Sequence, residues 1–201
     1  MPVKTDREYR SMPLLSPSES KKIQTDYYVE GYATTFNDPY VLYEREGKQY
    51  KEMIDPHALD GADLSDVIMQ YDHSGRVRAR TSNGSLGIEP DNHGLFMFAD
   101  LSKSSAAKEL YEDISSGLIT RMSWAFTVAN DEYDEFNRTR IIKQIRKVFD
   151  LSAVSLPANP GTEISARSYF DGVIEVELQE LQQRQRELDL HKARYFYLGV
   201  N

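Results

Sequence analysis

Three side chains in this sequence could do chemistry together: His73 in "QYDHSG", Ser123 in "TRMSWAF" and Asp150 in "KVFDLSAV". A serine hydroxyl becomes a nucleophile when a base takes its proton, and the base needs an acid to orient it. Asp150 interrupts an apolar stretch, and an unpaired carboxylate is costly to bury, so it calls for a partner that a histidine could supply. From spacing alone the trio is a candidate only. Ser123 also reads as an ordinary strand serine, His73 as a turn residue, and Asp150 as an ion-pair partner of an arginine such as Arg146. The other histidines point elsewhere: His57 to an expected helix start, His93 to a turn, His191 to a C-terminal helix.

Other chemistries find little support. With no cysteine there is no disulfide framework, thiol nucleophile or thiolate metal site. The four histidines show no spacing of the HExxH kind, so a zinc site is not expected. P-loop, GxGxxG and GxSxG motifs are all missing, which removes the common nucleotide and α/β-hydrolase readings. The acids are scattered over turns and helix faces, which argues against a glycoside hydrolase with paired carboxylates. A net charge of −8 and a pI near 5.1 disfavour a broad nucleic-acid-binding surface. No apolar run approaches the ~18 residues of a membrane span, and the first twenty residues have no apolar signal core.

Strands are expected to hold the trio. In "MSWAFTVA" the alternation puts Met122, Trp124, Phe126 and Val128 on one face and the small Ser123, Ala125, Thr127 and Ala129 on the other. "VIMQYDHSG" reads as a buried strand that delivers His73 at its exit, and "FDLSAVSLPANPG" as a strand stopped by two prolines, with Asp150 and Ser152 on one face. Further strands are expected at 23–37, in a hairpin over 40–54 turning near Glu46-Gly47, and over 76–101 with turns at Asn83-Gly84 and Asp91–Gly94. Asp55-Pro56 suits a helix start, and 104–117 a helix capped by Ser104 or Ser105 and closed by Gly117. Beyond Asp171, Ile174, Leu178, Leu181, Gln185, Leu188, Lys192 and Tyr195 follow heptad spacing, which predicts an amphipathic helix with two polar seam positions. The organisation read from this is a flexible arm over 1–22, a mainly β domain over 23–170, and a helical tail over 171–201. A seam so apolar should pack on the domain, on its own copy in a homo-oligomer, or on a partner's helix.

Four blocks in order, "VEGYATTFN", "YDHSGRVRAR", "SSGLITRMSWAFTV" and "VFDLSAVSLPANPGT", resemble the capsid maturation (prohead) proteases of tailed bacteriophages from about residue 27 to 168. The strand closing on "PANP" is the most specific of them. The resemblance implies a fold similar to the herpesvirus assemblins: an α+β, mainly β domain with a closed antiparallel barrel flanked by helices. It implies a serine endopeptidase in which Ser123 attacks, His73 is the base, and Asp150 orients the histidine, an aspartate where many relatives carry glutamate. The small face beside Ser123 would then leave room for a substrate backbone, while Trp124 and Phe126 pack inward. The expected substrate is the scaffold, or the scaffolding segment of the major capsid protein, together with the protease itself. The expected place is the immature head in the host cytoplasm, with no metal or organic cofactor, nucleic acid or membrane. The alternative is a non-enzymatic head or scaffold-binding protein that uses the same barrel as an interaction module.

Overall fold

The structure is a computed structural model that describes residues 7–13, 21–155 and 164–198. Its elements in chain order are β1 (Glu8–Pro13), β2 (Tyr28–Thr35), β3 (Tyr40–Arg45), β4 (Lys48–Ile54), β5 (Ile68–Tyr71), β6 (Ser74–Arg80), β7 (Leu86–Pro90), β8 (Gly94–Asp100), α1 (Ser105–Ser115), β9 (Arg121–Asp134), β10 (Thr139–Val154) and α2 (Ile164–Leu198). Strands dominate because the β-branched and aromatic residues alternate with polar ones, as in β9, where Met122, Trp124, Phe126 and Val128 are buried.

The strands form two sheets. The larger runs β1-β9-β10-β4-β3, with β5 and β6 continuing from the other end of β10. The smaller is β2-β8-β7. The expected closed barrel is therefore not found: among the described residues no ladder joins the two sheets. The reason lies in β10. At sixteen residues it is long enough to take two parallel partners on one edge, β4 along Thr139–Ile142 and β5 at Asp150 and Ala153. Its other edge pairs with β9 through several register shifts. These bulges bend the strand, so that the sheet forks where a barrel would close. The class remains α+β and mainly β.

Other expectations meet local differences. The strand expected to begin at Phe149 is the second half of a longer one, β10, which starts at Thr139. At Asp55-Pro56 no helix forms. The Asp55 side chain accepts from the His57 N–H at 2.9 Å, and Ala58, Asp60 and Ala62 each donate three residues back, a run of turns that never becomes α-helical. Ser104 caps α1 by accepting from the Ala107 N–H at 3.1 Å, and Gly117 takes the left-handed conformation beyond its end. Within the arm expected to be flexible, Glu8–Pro13 is the strand β1. The "PANP" prolines and residues 1–6 and 14–20 lie outside the described residues.

The main core lies between the sheets and α1, and the stacked Trp124–Phe126 pair, 4.1 Å between centroids, is part of it. A second cluster forms where Phe170 and Ile174 of α2 meet Leu42, Tyr43 and Tyr50 of β3 and β4. Beyond Ile174 the helix leaves the body, and Leu178, Leu181 and Leu188 are each more than half exposed. The helix begins at Ile164, before the composition change at Asp171. No helix among the described residues is long and apolar enough to cross a membrane.

Candidate active site

His73 reaches its place through an unusual turn. β5 and β6 are joined by a two-residue hairpin, Tyr71 pairing with Ser74, and the central residues Asp72 and His73 have φ of 47° and 53°. Positive φ at both positions is the type I′ geometry that glycine and asparagine favour. Such backbone persists only where its surroundings fix it, and it gathers at functional sites. Here β10 fixes it. The Asp72 N–H donates to the Ala153 carbonyl at 3.0 Å, and the Asp72 carboxylate accepts from the Ser155 N–H and hydroxyl at 2.9 and 2.8 Å.

The clamp aims His73 at Asp150. His73 Nδ1 lies 2.6 Å from Asp150 Oδ1. Ionised Asp150 can only accept, so Nδ1 carries the hydrogen and Nε2 keeps its lone pair. Asp150 Oδ1 also accepts from the Ser152 hydroxyl at 2.7 Å. With Asp150 4% and Ser152 0% exposed, the carboxylate is fixed from two sides in a nearly dry setting. Asp150 is thus engaged by His73 and Ser152, and not by Arg146, the rival partner considered from the sequence.

Ser123 stands on the same face. In the β9–β10 ladder Ser123 pairs with Ser152, and Ala125 with Asp150. Paired residues point the same way, as do residues two apart on a strand, so Ser123, Ala125, Asp150 and Ser152 share one face. Ser123 Oγ and His73 Nε2 are both buried and make no hydrogen bond to any described group. A buried hydroxyl without a partner costs about 1–3 kcal/mol, which demands an explanation. Arg78 Nε, Trp124 Nε1 and the Tyr133 hydroxyl are the other buried side-chain atoms without a partner among the described residues, and of the five only Ser123 Oγ and His73 Nε2 belong to the candidate trio. The bare face is not open, however. Ser123 is only 1% exposed and Ala125 fully buried. The outer edge of β9 is closed by β1, with Ser11 paired to Ser123, and the Tyr9 ring stands edge-on to His73 at 4.7 Å.

The remaining histidines have other employment. His57 faces Asp60 on the surface at 3.0 Å, His93 stacks edge-on against Tyr32, and His191 is exposed on α2. Among the described residues no group of three or more acids and histidines could hold a metal. A groove between α2 and the β9–β10 hairpin, lined by Tyr133, Tyr169 and Val173 among others, shares no residue with the His73 site. Sequence reading missed Tyr9, Asp72 and Ser155. Two consecutive non-glycine residues in a two-residue turn were the available signal for the clamp. The strand pairing of Tyr9 had none.

The caudovirus prohead serine protease family matches residues 16–173. The chain belongs to that family. The prohead protease of Enterobacteria phage HK97 is 29% identical over 152 residues, which cover 72% of this chain and 61% of the relative, so the chain spans about six tenths of that relative's length. Among solved structures, the capsid assembly protease of bacteriophage T4 is similar at a TM-score of 0.46 and 11% identity, covering 76% of this chain and 99% of that one. The match spans all three candidate residues of the site, His73, Ser123 and Asp150.

Proposed function

We propose that the chain is a serine endopeptidase that cleaves the scaffold, or the scaffolding segment of the major capsid protein, during head maturation, inside the immature head in the host. The observation that carries the reading is the 2.6 Å contact of His73 Nδ1 with Asp150, which leaves Nε2 basic beside a face that bears Ser123. Ser123 Oγ attacks the peptide carbonyl while His73 Nε2 takes its proton. The tetrahedral intermediate collapses as His73 returns that proton to the leaving amine, and an acyl ester remains on Ser123. Water, deprotonated by the same nitrogen, then hydrolyses the ester. Asp150 holds the tautomer and stabilises the imidazolium, and Ser152 holds Asp150. The family supports a head-protein substrate, and cleavage of its own chain belongs to the same reading.

Coexpression with the major capsid and scaffold proteins of the same phage tests it by intact-protein mass spectrometry. The expected result is shortened capsid or scaffold protein with the wild-type chain and full-length protein with Ser123→Ala. Unchanged masses with the folded wild-type chain bound to heads would instead favour the non-enzymatic binding module.

A further inference from the structure

β6 leads away from His73 and carries arginines at alternate positions, Arg76, Arg78 and Arg80. Arg80 is satisfied, since its guanidinium donates to the two oxygens of Asp66 at 3.0 and 2.8 Å. Among the described residues no acid meets Arg76 or Arg78. Acids are not scarce, at 32 for 24 lysines and arginines, and the buried Arg140 alone engages Glu8, Glu52 and Asp131. Arg78 is half-buried, and its Nε is out of water with no acceptor among the described residues. A charged group in that state is costly. The plain reading of such arginines is edge protection, since β6 pairs only with β5 and a charged edge keeps other strands away. That accounts for Arg76, which is exposed. It does not account for Arg78, because a guarding charge belongs in water.

Strand register puts Arg78 on the face of the nucleophile. Ser123 is opposite Ser152 in the β9–β10 ladder. On the other edge of β10, Asp150 pairs with Ile68 and Ala153 with Tyr71, which sets Gln70 beside Ser152. Met69 and Ala79, a β5–β6 pair, point into the core. Their neighbours Gln70 and Arg78 therefore point the other way, to the face of Ser152 and Ser123. β6 is also bulged here. Between the pairs Tyr71–Ser74 and Met69–Ala79, the stretch 75–78 is set against Gln70 alone. The Gln70 amide holds the bulge by donating to the Gly75 carbonyl at 3.0 Å. Bulges beside active sites re-aim side chains, and this one directly follows His73. Ser123, Ser152, Gln70 and Arg78 thus form a row across the sheet. It spans three strand spacings, about 14 Å, which an extended peptide covers in about four residues.

The chemistry gives the row a direction. His73 Nε2 returns its proton to the leaving amine, so the leaving half of a bound peptide lies on the His73 side of Ser123, toward β5 and β6. We infer that Arg78, with Arg76 beside it, is a subsite for a carboxylate side chain on the leaving half of the substrate, within about four residues of the cut. A glutamate or aspartate there supplies the acceptor that Nε lacks, and the planar fork of a guanidinium holds a carboxylate by two bonds. The inference rests on the protease reading for its direction, and on register and the unpaired guanidinium for the site itself. Arg78 meets no reacting atom, so it governs the choice of substrate and leaves the chemistry to His73 and Ser123.

The test begins with the cut. Mass spectrometry of the coexpressed head proteins gives the sequence after each cut, and an aspartate or glutamate is expected within about four residues of it. A peptide spanning that cut, and its twin with the corresponding amide in place of the acid, are then offered to wild type and to Arg78→Gln. Wild type should favour the acidic peptide by at least about tenfold in kcat/KM, chiefly through KM, and Arg78→Gln should treat the two alike. Arg78→Glu should instead favour a peptide with lysine at that place. Cuts with no acid after them, or an acid preference kept by folded Arg78→Gln, overturn the inference. If Arg78→Gln fails to fold by circular dichroism, Arg78→Lys takes its place, with a reduced preference expected because the fork is lost. Where no form cleaves, NMR of the full chain decides. The Nε–Hε signal of Arg78, assigned by its disappearance in Arg78→Lys, should move on adding millimolar acetyl-SAEEA-amide and stay with acetyl-SAQQA-amide. That result without cleavage sustains the carboxylate site and overturns the protease reading, and an unmoved signal there overturns both, so the two failures are distinguishable.

Discussion

At the scale of single residues, each side chain of the site has one geometric duty and a corresponding loss. Ser123→Ala should abolish cleavage while leaving the fold intact, because one oxygen is removed from a position with no hydrogen bond to lose. Asp150→Asn presents Nδ1 with an amide that can also donate, so the wrong tautomer competes. By analogy with other triads this costs about 10⁴ in kcat. Ser152→Ala removes one of two groups that fix the carboxylate, and a loss of about tenfold in kcat with unchanged KM is expected, since a positioning contact of this kind is worth roughly 1–1.5 kcal/mol. Steady-state kinetics on a purified head-protein substrate measures all three. If Ser152→Ala raised KM instead, the hydroxyl would be contacting substrate rather than Asp150. His73 and Asp150 were visible in the sequence as a base at a strand exit and an acid in an apolar strand, and the structure joins them. Their clamp was not visible, because Asp72 and Ser155 are 83 positions apart and meet only through the β5–β10 pairing. Nor was the closing of the Ser123 face by β1, since nothing in "EYRSMP" distinguishes a strand that pairs from an arm that does not.

At the scale of elements, α2 has two parts with different thermodynamic roles. Its first part is anchored: Phe170 is fully buried, stacked with Tyr43 at 6.2 Å and tilted on Tyr50 at 5.4 Å. Its later part, from Leu178 to Lys192, is exposed. Phe170→Ala should therefore destabilise the protein by about 3–5 kcal/mol. Truncation after Glu180 removes no buried side chain among the described residues and should leave the urea midpoint within error of wild type. Chemical denaturation of both proteins checks this, and a large loss on truncation would mean that the exposed leucines pack on a second copy in solution. The heptad spacing made the helix legible and even its seam, but not where the seam stops being covered. That depends on β3 and β4 offering Leu42, Tyr43 and Tyr50 to Phe170 and Ile174, with Tyr169 packed beside them. The barrel failed to appear for a similar reason. Local alternation identifies strands, whereas closure depends on partners at long range, and β10 divides one edge between β4 and β5.

At the scale of the whole molecule, the two sheets are separate ladders, so polar ties at their margins decide how the fold meets acid. One of these ties is Asp100 at the end of β8. It accepts from the Thr25 hydroxyl ahead of β2 at 2.8 Å and from the Ser102 N–H at 3.0 Å, and pairs with Lys103 at 2.9 Å ahead of α1. Burial works to raise its carboxyl, but the bonds from Lys103, Ser102 and Thr25 outweigh burial and hold it at about 2. An unfolded aspartate titrates near ~3.9. The folded state thus binds this proton less readily than the unfolded state. The stabilisation is complete above about pH 4 and is lost as the pH falls from there toward 2. Asp100→Asn should accordingly be less stable than wild type at pH 6, and the gap should narrow through pH 4 to 2 as the wild-type carboxyl protonates. Thermal unfolding of both proteins at pH 6, 4 and 2.5 measures it. A gap independent of pH would show that the ties act as neutral hydrogen bonds. One that widened in acid would reverse the sign and remove Asp100 as the group through which acid loosens the join of β2, β8 and α1.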